Sequence, residues 1–383
     1  MKKIFLTAIA LLTMASAQVF GMYGADSSWI DFLTHGNQFR ARINQLGFTL
    51  GNDTIKGTFG FHSGANGMHG SYANTNTLGK IYYNFNPTIS MGLAYTSSPI
   101  SVGVGYNATI GKTKWEKYNG KDNPKTTEAV VHTPVLALNA MDNAFRMVIP
   151  IQVLHLTDKY PQDGGKGSIT AVSFDAQFRY YTGFELVPQI RLYLKYGTYQ
   201  YNLEQTGQEK QKGTFAESFG FQFRLYFGTT VEEVALNPFI RIDYNTALGK
   251  QHNQTGITAV GVLERAANVM NNLANGENYT AAWGTSVWEL KILPSLGLTA
   301  NSDIVSLYLQ PSLGFGIYQD GDPTQKNVKE RFGLAYDIYA EMYITPMKNL
   351  EWYFETSIGD SGTQTAGLEF ALSTGATWYL PQL

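Results

Sequence analysis

Ten charged residues on the polar sides of alternating segments are the side chains of this chain best placed to do chemistry. Arg146, Arg179, Arg191, Lys195, Arg224 and Arg241 fall in its middle, and Asp337, Glu341, Glu355 and Glu369 near its end. In a closed tube the two groups would face each other across the lumen. Opposed basic and acidic walls create a transverse field that orients dipolar solutes and selects ions. The same charges can instead pair with near neighbours, Asp175 with Arg179 or Asp243 with Arg241, and serve packing alone. Both readings stay open at the level of sequence.

Catalytic and metal chemistry find less to work with. The histidines are His35, His62, His69, His132, His155 and His252. His132 and His155 are expected near opposite ends of adjacent strands, with no second carboxylate cluster to orient either as a base. Asp320-Gly321-Asp322 and residues 119–123 lack the ligand spacing of a calcium loop. The chain has no cysteine, which removes thiolate ligands, cysteine nucleophiles and a disulfide framework. No enzyme activity, cofactor or metal is therefore expected.

The elements that would hold these charges are strands. In residues 168–180, Thr170, Val172, Phe174, Ala176, Phe178 and Tyr180 alternate with Ala171, Ser173, Asp175, Gln177 and Arg179. Successive strand side chains point to opposite faces, so one face is oily and the other wet. The pattern recurs: Val102, Val104 and Tyr106 against Gly103, Gly105 and Asn107; Ile190, Leu192 and Leu194 against Arg191, Tyr193 and Lys195; Phe221, Phe223 and Leu225 against Gln222, Arg224 and Tyr226. In residues 145–154 the second row is mixed, with Arg146 and Gln152 beside Val148 and Leu154. A soluble sandwich shares the alternation with its apolar face turned inward. Full charges on the wet face, and a pattern running along most of the chain, favour the inverse arrangement. A membrane admits strands only when the sheet closes, because unpaired amides have no partner in hydrocarbon.

The fold expected is thus all-β: a closed up-and-down antiparallel transmembrane barrel of about 14–16 strands. From Gln38 onward fifteen strands can be counted, with 38–50 and 54–61 as a hairpin about Gly51-Asn52-Asp53. Both termini of such a barrel must reach the same side, so an even number is needed. Either residues 28–33 supply a sixteenth strand, or the true number is fourteen; residues 18–37 are otherwise a segment tucked into the barrel. Residues 64–79, rich in Gly, Asn and Ser, read as a loop. Connections alternate in length. The shorter ones are 97–99, 140–143, 181–187, 228–236, 300–304 and 345–350; the longer are 112–126, 157–167, 201–213, 246–282, 319–327 and 359–364. Short periplasmic turns and long external loops orient a barrel this way. Within 246–282, Val262, Ala266, Val269, Met270 and Leu273 recur at helical spacing, and Asn275-Gly276 is a stop signal.

Composition agrees. Of 383 residues 14% are aromatic and only 15% charged, which suits aromatic girdles around a lipid belt. A net charge of −2 with no basic stripe argues against nucleic acid as a partner. At the front, Lys2 and Lys3 precede an apolar run, residues 4–12, and Ala15-Ser16-Ala17 offers a small-residue cleavage site. Residues 1–17 are expected to be a cleaved signal peptide, leaving 18–37 as an N-terminal segment and 38–383 as the barrel.

Met22-Tyr23-Gly24, the run from Trp29 to Leu33, Gly36 through Arg42 and Gly51 through Gly57 together resemble the mature N-terminus of a spirochaete variable surface protein. That resemblance implies an abundant, surface-exposed antigen of the outer membrane with variable loops. It would sit in outer-membrane lipid, with self-association into oligomers and host antibodies or surface ligands as further partners. It implies no catalytic residues. A general diffusion porin, passing small hydrophilic solutes along a charge-lined lumen, is the alternative function and is compatible with the first.

Overall fold

The computed structural model describes residues 26–42, 45–63, 71–76, 79–85, 87–97, 99–118, 125–160, 165–204, 209–231, 234–248, 288–320, 329–360 and 368–379. Its strands are β1 (Gln38–Arg42), β2 (Gln45–Gly51), β3 (Ile55–Ser63, continued by Ser71–Asn76), β4 (Gly79–Phe85, continued by Pro87–Tyr95), β5 (Ile100–Tyr118), β6 (Lys125–Ala140), β7 (Phe145–Tyr160) and β8 (Gly165–Tyr181). They continue as β9 (Gln189–Glu204), β10 (Gln211–Tyr226, continued by Thr229–Val231), β11 (Val234–Ala247), β12 (Trp288–Asn301), β13 (Val305–Asp320), β14 (Lys329–Met347), β15 (Leu350–Asp360) and β16 (Glu369–Tyr379). Nineteen hydrogen-bonded segments, three of them continuations of a neighbour, make these sixteen strands.

Every strand is antiparallel to the next, and β1 pairs with β16 through Arg40 opposite Tyr379 and Ala41 opposite Trp378. The sheet therefore closes, and closure is what satisfies every edge amide in a medium without water.

The oily rows face out. On β8 the outward Val172 is 39% exposed, whereas the inward Arg179 is 6% exposed. Phe174, Phe221 and Leu309 lie on outward rows. The outward apolar stretch of β8, from Val172 to Tyr180, matches the roughly 9–11 residues a tilted strand needs to cross hydrocarbon. Outward aromatic stacking runs across strands, as in Phe39–Phe48–Phe59, with ring centroids 6.5 and 6.1 Å apart. At the end of the short turns, Tyr95, Tyr180, Trp352 and Trp378 are exposed on that same outer surface, as a girdle requires. At the opposite end the outward row becomes charged: Glu128 on β6 meets Lys112 on β5 at 2.8 Å and Lys159 on β7 at 3.6 Å. Strands continue past the lipid there, which is why charged strand ends such as 112–118 read as loop from sequence alone.

Three expectations are corrected. Sixteen strands are present, but residues 28–33 are not one of them: Asp26–Asp31 is a 3₁₀ helix. The additional strand comes from 38–50, which folds back on itself as β1 and β2, with Gln38 opposite Thr49 and Arg42 opposite Gln45. Residues 64–79 are not all loop, since Ser71–Asn76 and Gly79–Phe85 pair as an extension of the β3–β4 hairpin. His132 and His155 are not at opposite ends. Val130 pairs with His155 and His132 with Val153, so the two histidines are diagonal neighbours on the outward face. Residues 1–17 and the helical pattern of 262–273 lie outside the described residues.

Candidate functional site

The inner wall carries two linked features: a row of arginines and an apolar seat filled by the N-terminal segment. Hairpin register builds the row. Arg146 on β7 stands opposite Arg179 on β8, Arg179 opposite Arg191 on β9, Arg191 opposite Arg224 on β10, and Arg224 opposite Arg241 on β11. Neighbouring strands are about 4.8 Å apart, so the row spans roughly 19 Å of wall. Like charges directly opposite one another are destabilising, and such a row persists only if something offsets the repulsion.

The first offset is Asp31. Its carboxylate accepts from Arg146 Nη1 at 2.7 Å and from Arg179 Nη1 at 3.0 Å. Burial would raise this carboxyl, but Arg179 and Arg146 outweigh it and hold the group below its ordinary range. Asp31 reaches the row because the 3₁₀ helix Asp26–Asp31 and the residues after it are packed inside the barrel. Phe32 N–H donates to the Trp29 carbonyl at 3.2 Å, and Thr34 and His35 N–H groups both donate to the Asp31 carbonyl at 3.0 Å. Lys56 Nζ, pointing inward from β3, donates to the carbonyls of Leu33 and His35 at 3.0 and 2.7 Å. Gly51 N–H donates to Asn37 Oδ1 at 2.9 Å, and the chain then enters β1.

The apolar seat explains the mixed inner row of β7. Trp29, Ile30, Phe32 and Leu33 are buried with Ala94, Val135, Ala137 and Val148. Trp29 and Phe32 meet edge to face, centroids 5.4 Å apart. Gly92 and Gly105 are glycine because the Trp29 indole occupies their side-chain space: a Cβ there would lie 2.7 and 2.5 Å from the ring. A Cβ on Gly103 would meet Leu33 at 3.0 Å and Phe32 at 3.3 Å. Each fully buried apolar side chain contributes roughly 1.5–3 kcal/mol, so this plug is anchored by packing as well as by charge. Nearer the long-loop end the inner rows of β6–β8 stay apolar, with Val131, Leu154, Leu156 and Ile169 all buried.

The other row members are held differently. Arg241 Nε pairs with Asp243 Oδ2 at 2.6 Å. Arg191 donates Nε to Gln189 at 3.0 Å and lies 4.8 Å over the Tyr226 ring. Arg224 donates Nε to Gln222 at 2.7 Å and lies 5.3 Å over the Tyr193 ring. The stacking is reciprocal: each arginine uses a tyrosine from the other's strand. Beside them, Lys195, Gln222, Arg241, Asp243, Asn245 and Lys291 line a half-open recess of about 130 Å³.

The acidic residues occupy a separate patch. Glu341 on β14 stands directly opposite Glu355 on β15. The Tyr339 hydroxyl donates to Glu341, and the Tyr343 hydroxyl donates to Glu355 at 3.2 Å. Asp337 stands opposite Gly359 on β15; Glu369 opens β16, and its side chain lies outside the described residues. The patches do not confront each other simply. Half a circuit of sixteen strands is eight, and Arg191 on β9 is five strands from Glu341 on β14. Arg146 and Glu355, and Arg179 and Glu369, are the pairs eight strands apart, and both of these arginines are already taken by Asp31. Asp175 and Arg179 share the inner face of β8, but Arg179 pairs with Asp31, which sequence patterning had not singled out.

Comparison with known proteins adds the following. The family model described as Serpulina hyodysenteriae variable surface protein matches residues 2–379. No curated protein matches. Among solved structures, the translocator domain of the autotransporter NalP from Neisseria meningitidis is similar at 15% identity and TM-score 0.32, over 74% of this chain and 89% of that one. The copper transporter OprC is similar at 8% identity and TM-score 0.42, over 90% of this chain and 64% of that one. The ferric yersiniabactin uptake receptor FyuA from Yersinia pestis is similar at 12% identity and TM-score 0.39, over 85% of this chain and 51% of that one. The chain thus spans less than two thirds of the length of OprC and of FyuA.

Proposed function

The chain belongs to the Serpulina hyodysenteriae variable surface protein family, and from that premise we propose that it is an outer-membrane barrel acting through its outward loops as a surface-exposed antigen. The observation that carries this reading is the asymmetry of the two ends. At one end hairpins close in a few residues, as between Ala140 and Phe145 or Met347 and Leu350. At the other, 40 residues separate Ala247 from Trp288, and outward ion pairs such as Lys112–Glu128 and Lys210–Glu204 stand clear of the lipid belt. Outer-membrane lipid and host antibodies are its partners in this reading. Antibodies raised against residues 249–287 should bind intact cells as strongly as lysed ones. Binding only after lysis would reverse the orientation and remove the reading.

The reading includes no catalysis. What supports this is that His132 and His155 lie on the outward face, where His132 Nδ1 is bonded to the Tyr106 hydroxyl.

A second reading, passage of small hydrophilic solutes, is favoured by one observation. The plug occupies the seat along β4–β8, whereas the inner wall from β9 to β15 keeps charged and tyrosine side chains. Sixteen-stranded barrels are wide enough to leave an aqueous channel. Reconstitution of refolded protein into planar bilayers tests it: discrete conductance steps support passage, and a silent bilayer removes it.

A further inference from the structure

We propose that Arg191 and Arg224, together with Lys195, Lys291 and Arg241 around the adjoining recess, form a binding site for a small oxyanion of the phosphate, sulfate or short carboxylate class. The proposal deepens the passage reading, but it requires only that water reaches this wall.

Three features converge on it. First, in the row of five, Arg146 and Arg179 share Asp31 and Arg241 holds Asp243. Arg191 and Arg224, directly opposite each other, have no carboxylate at ion-pair distance among the described residues. Their mutual repulsion is retained where any neutral polar pair would fit the ladder. Second, both guanidiniums are pre-positioned. Reciprocal stacking on Tyr226 and Tyr193 and the bonds to Gln189 and Gln222 fix their planes, and both remain partly exposed on the lumenal side. A fixed planar fork suits oxyanion recognition, because two parallel N–H donors match two oxygens.

Third, the recess beside them carries surplus positive charge and has a suitable size. Lys195, Lys291 and Arg241 line a space of about 130 Å³. The local carboxylates are Asp175, opposite Lys195; Asp243, opposite Lys291; and Glu289, which accepts from Asn245 Nδ2 at 2.8 Å. With Asp337, which also acts on Arg241, five cations face four carboxylates, a net positive charge that suits an oxyanion. Gly220 separates Lys195 from Asn245 within the same cross-strand row, and a Cβ there would collide with the Asn245 side chain. The Asn245 side chain, which lines the recess, therefore lies over Gly220.

The test is equilibrium binding of inorganic phosphate, and separately of sulfate, to the full-length protein refolded in detergent and followed by calorimetry. Saturable binding is expected, weakened at least tenfold in Arg191→Gln/Arg224→Gln. Lys195→Gln/Lys291→Gln should weaken it several-fold, and serves as the second variant if the arginine pair does not refold. Arg191→Lys/Arg224→Lys should bind more weakly than the parent, because it keeps the charge and loses the fork. Lys210→Gln, on the outside, should leave binding unchanged. Non-saturable uptake by the parent, or equal affinity in the parent and both double glutamine variants, would overturn the site. A protein that binds phosphate but never conducts loses the passage reading and keeps the site. One that conducts without binding phosphate or sulfate loses the site and keeps the passage.

Discussion

The indole of Trp29 stands where a side chain at Gly105 would be, with an ideal Cβ only 2.5 Å from the ring. Tryptophan and glycine are 76 positions apart and specify each other. Gly105→Val should therefore unseat the plug while leaving the barrel intact, since the intruding methyls face a rigid ring rather than a flexible side-chain end. Overpacking of this kind costs typically 1–3 kcal/mol, and Trp29→Ala, which leaves the seat empty, about 3–5 kcal/mol. The chain has no cysteine, so Thr34→Cys gives a unique reporter. Maleimide labelling at position 34 should be slow in the parent and much faster in both variants, with strand content by circular dichroism unchanged.

Asp31 is the charge half of the same latch. Removing one partner of a buried ion pair leaves the others uncompensated, at about 3–5 kcal/mol. Asp31→Asn strands both Arg146 and Arg179, whose side chains are 13% and 7% exposed. It should release the plug more completely than Arg146→Gln, which still leaves Asp31 paired with Arg179. The same labelling assay ranks the variants, and equal rates for the two would contradict a shared carboxylate.

Acid should loosen the plug in two stages. Burial holds the His35 imidazole below its ordinary value, outweighing the attraction of Asp31, so the docked segment keeps His35 neutral. An undocked segment takes up that proton once the pH falls below about 6.5. The undocked state then binds more protons, and docking weakens as pH drops through this range. The depressed Asp31 carboxyl acts the same way at lower pH: its contribution is complete above about 4 and is lost only as pH falls through the lowered value. Acrylamide quenching, taken as the difference between the parent and Trp29→Phe, should rise from pH 7.5 to 5. His35→Gln should flatten that part of the curve and leave the lower-pH part in place.

Strand positions were legible because the outward rows are almost unbroken: hydrocarbon tolerates few exceptions, so Val172, Phe174 and Phe178 declare the period. The inner face was less so. Trp29, Ile30, Phe32 and Leu33 form a short apolar run that fits a strand as well as a plug. The deciding signals lay elsewhere, in Gly92, Gly103 and Gly105 and in Val148 on a row that should have been wet. The arginines were visible individually, but their alignment was not. It depends on hairpin register, set by residues such as Tyr199 and Gln200, where β9 and β10 slip by one position. Loop starts were placed too early wherever charged strands continue beyond the lipid, as at Lys112 and Thr157.

The two charged patches should pull ion selectivity in opposite directions. Glu341 and Glu355 are directly opposite one another on adjacent strands, as Arg191 and Arg224 are, yet their surroundings differ. The acids accept from the Tyr339 and Tyr343 hydroxyls, whereas the arginines stack on tyrosine faces. Both patches lie on the inner wall, where their fields act on the lumen. A unit charge 4 Å from a passing ion in water is worth about 1 kcal/mol, or roughly fivefold in relative permeability. In bilayers under a salt gradient, Arg191→Gln/Arg224→Gln should shift the reversal potential toward cation preference by at least that factor. Glu341→Gln/Glu355→Gln should shift it toward anions. Salt concentration must be held low and equal on repeats, since at 1 M the screening length is only about 3 Å and both shifts should vanish. If both variants moved the potential in the same direction, the patches would not line one pathway.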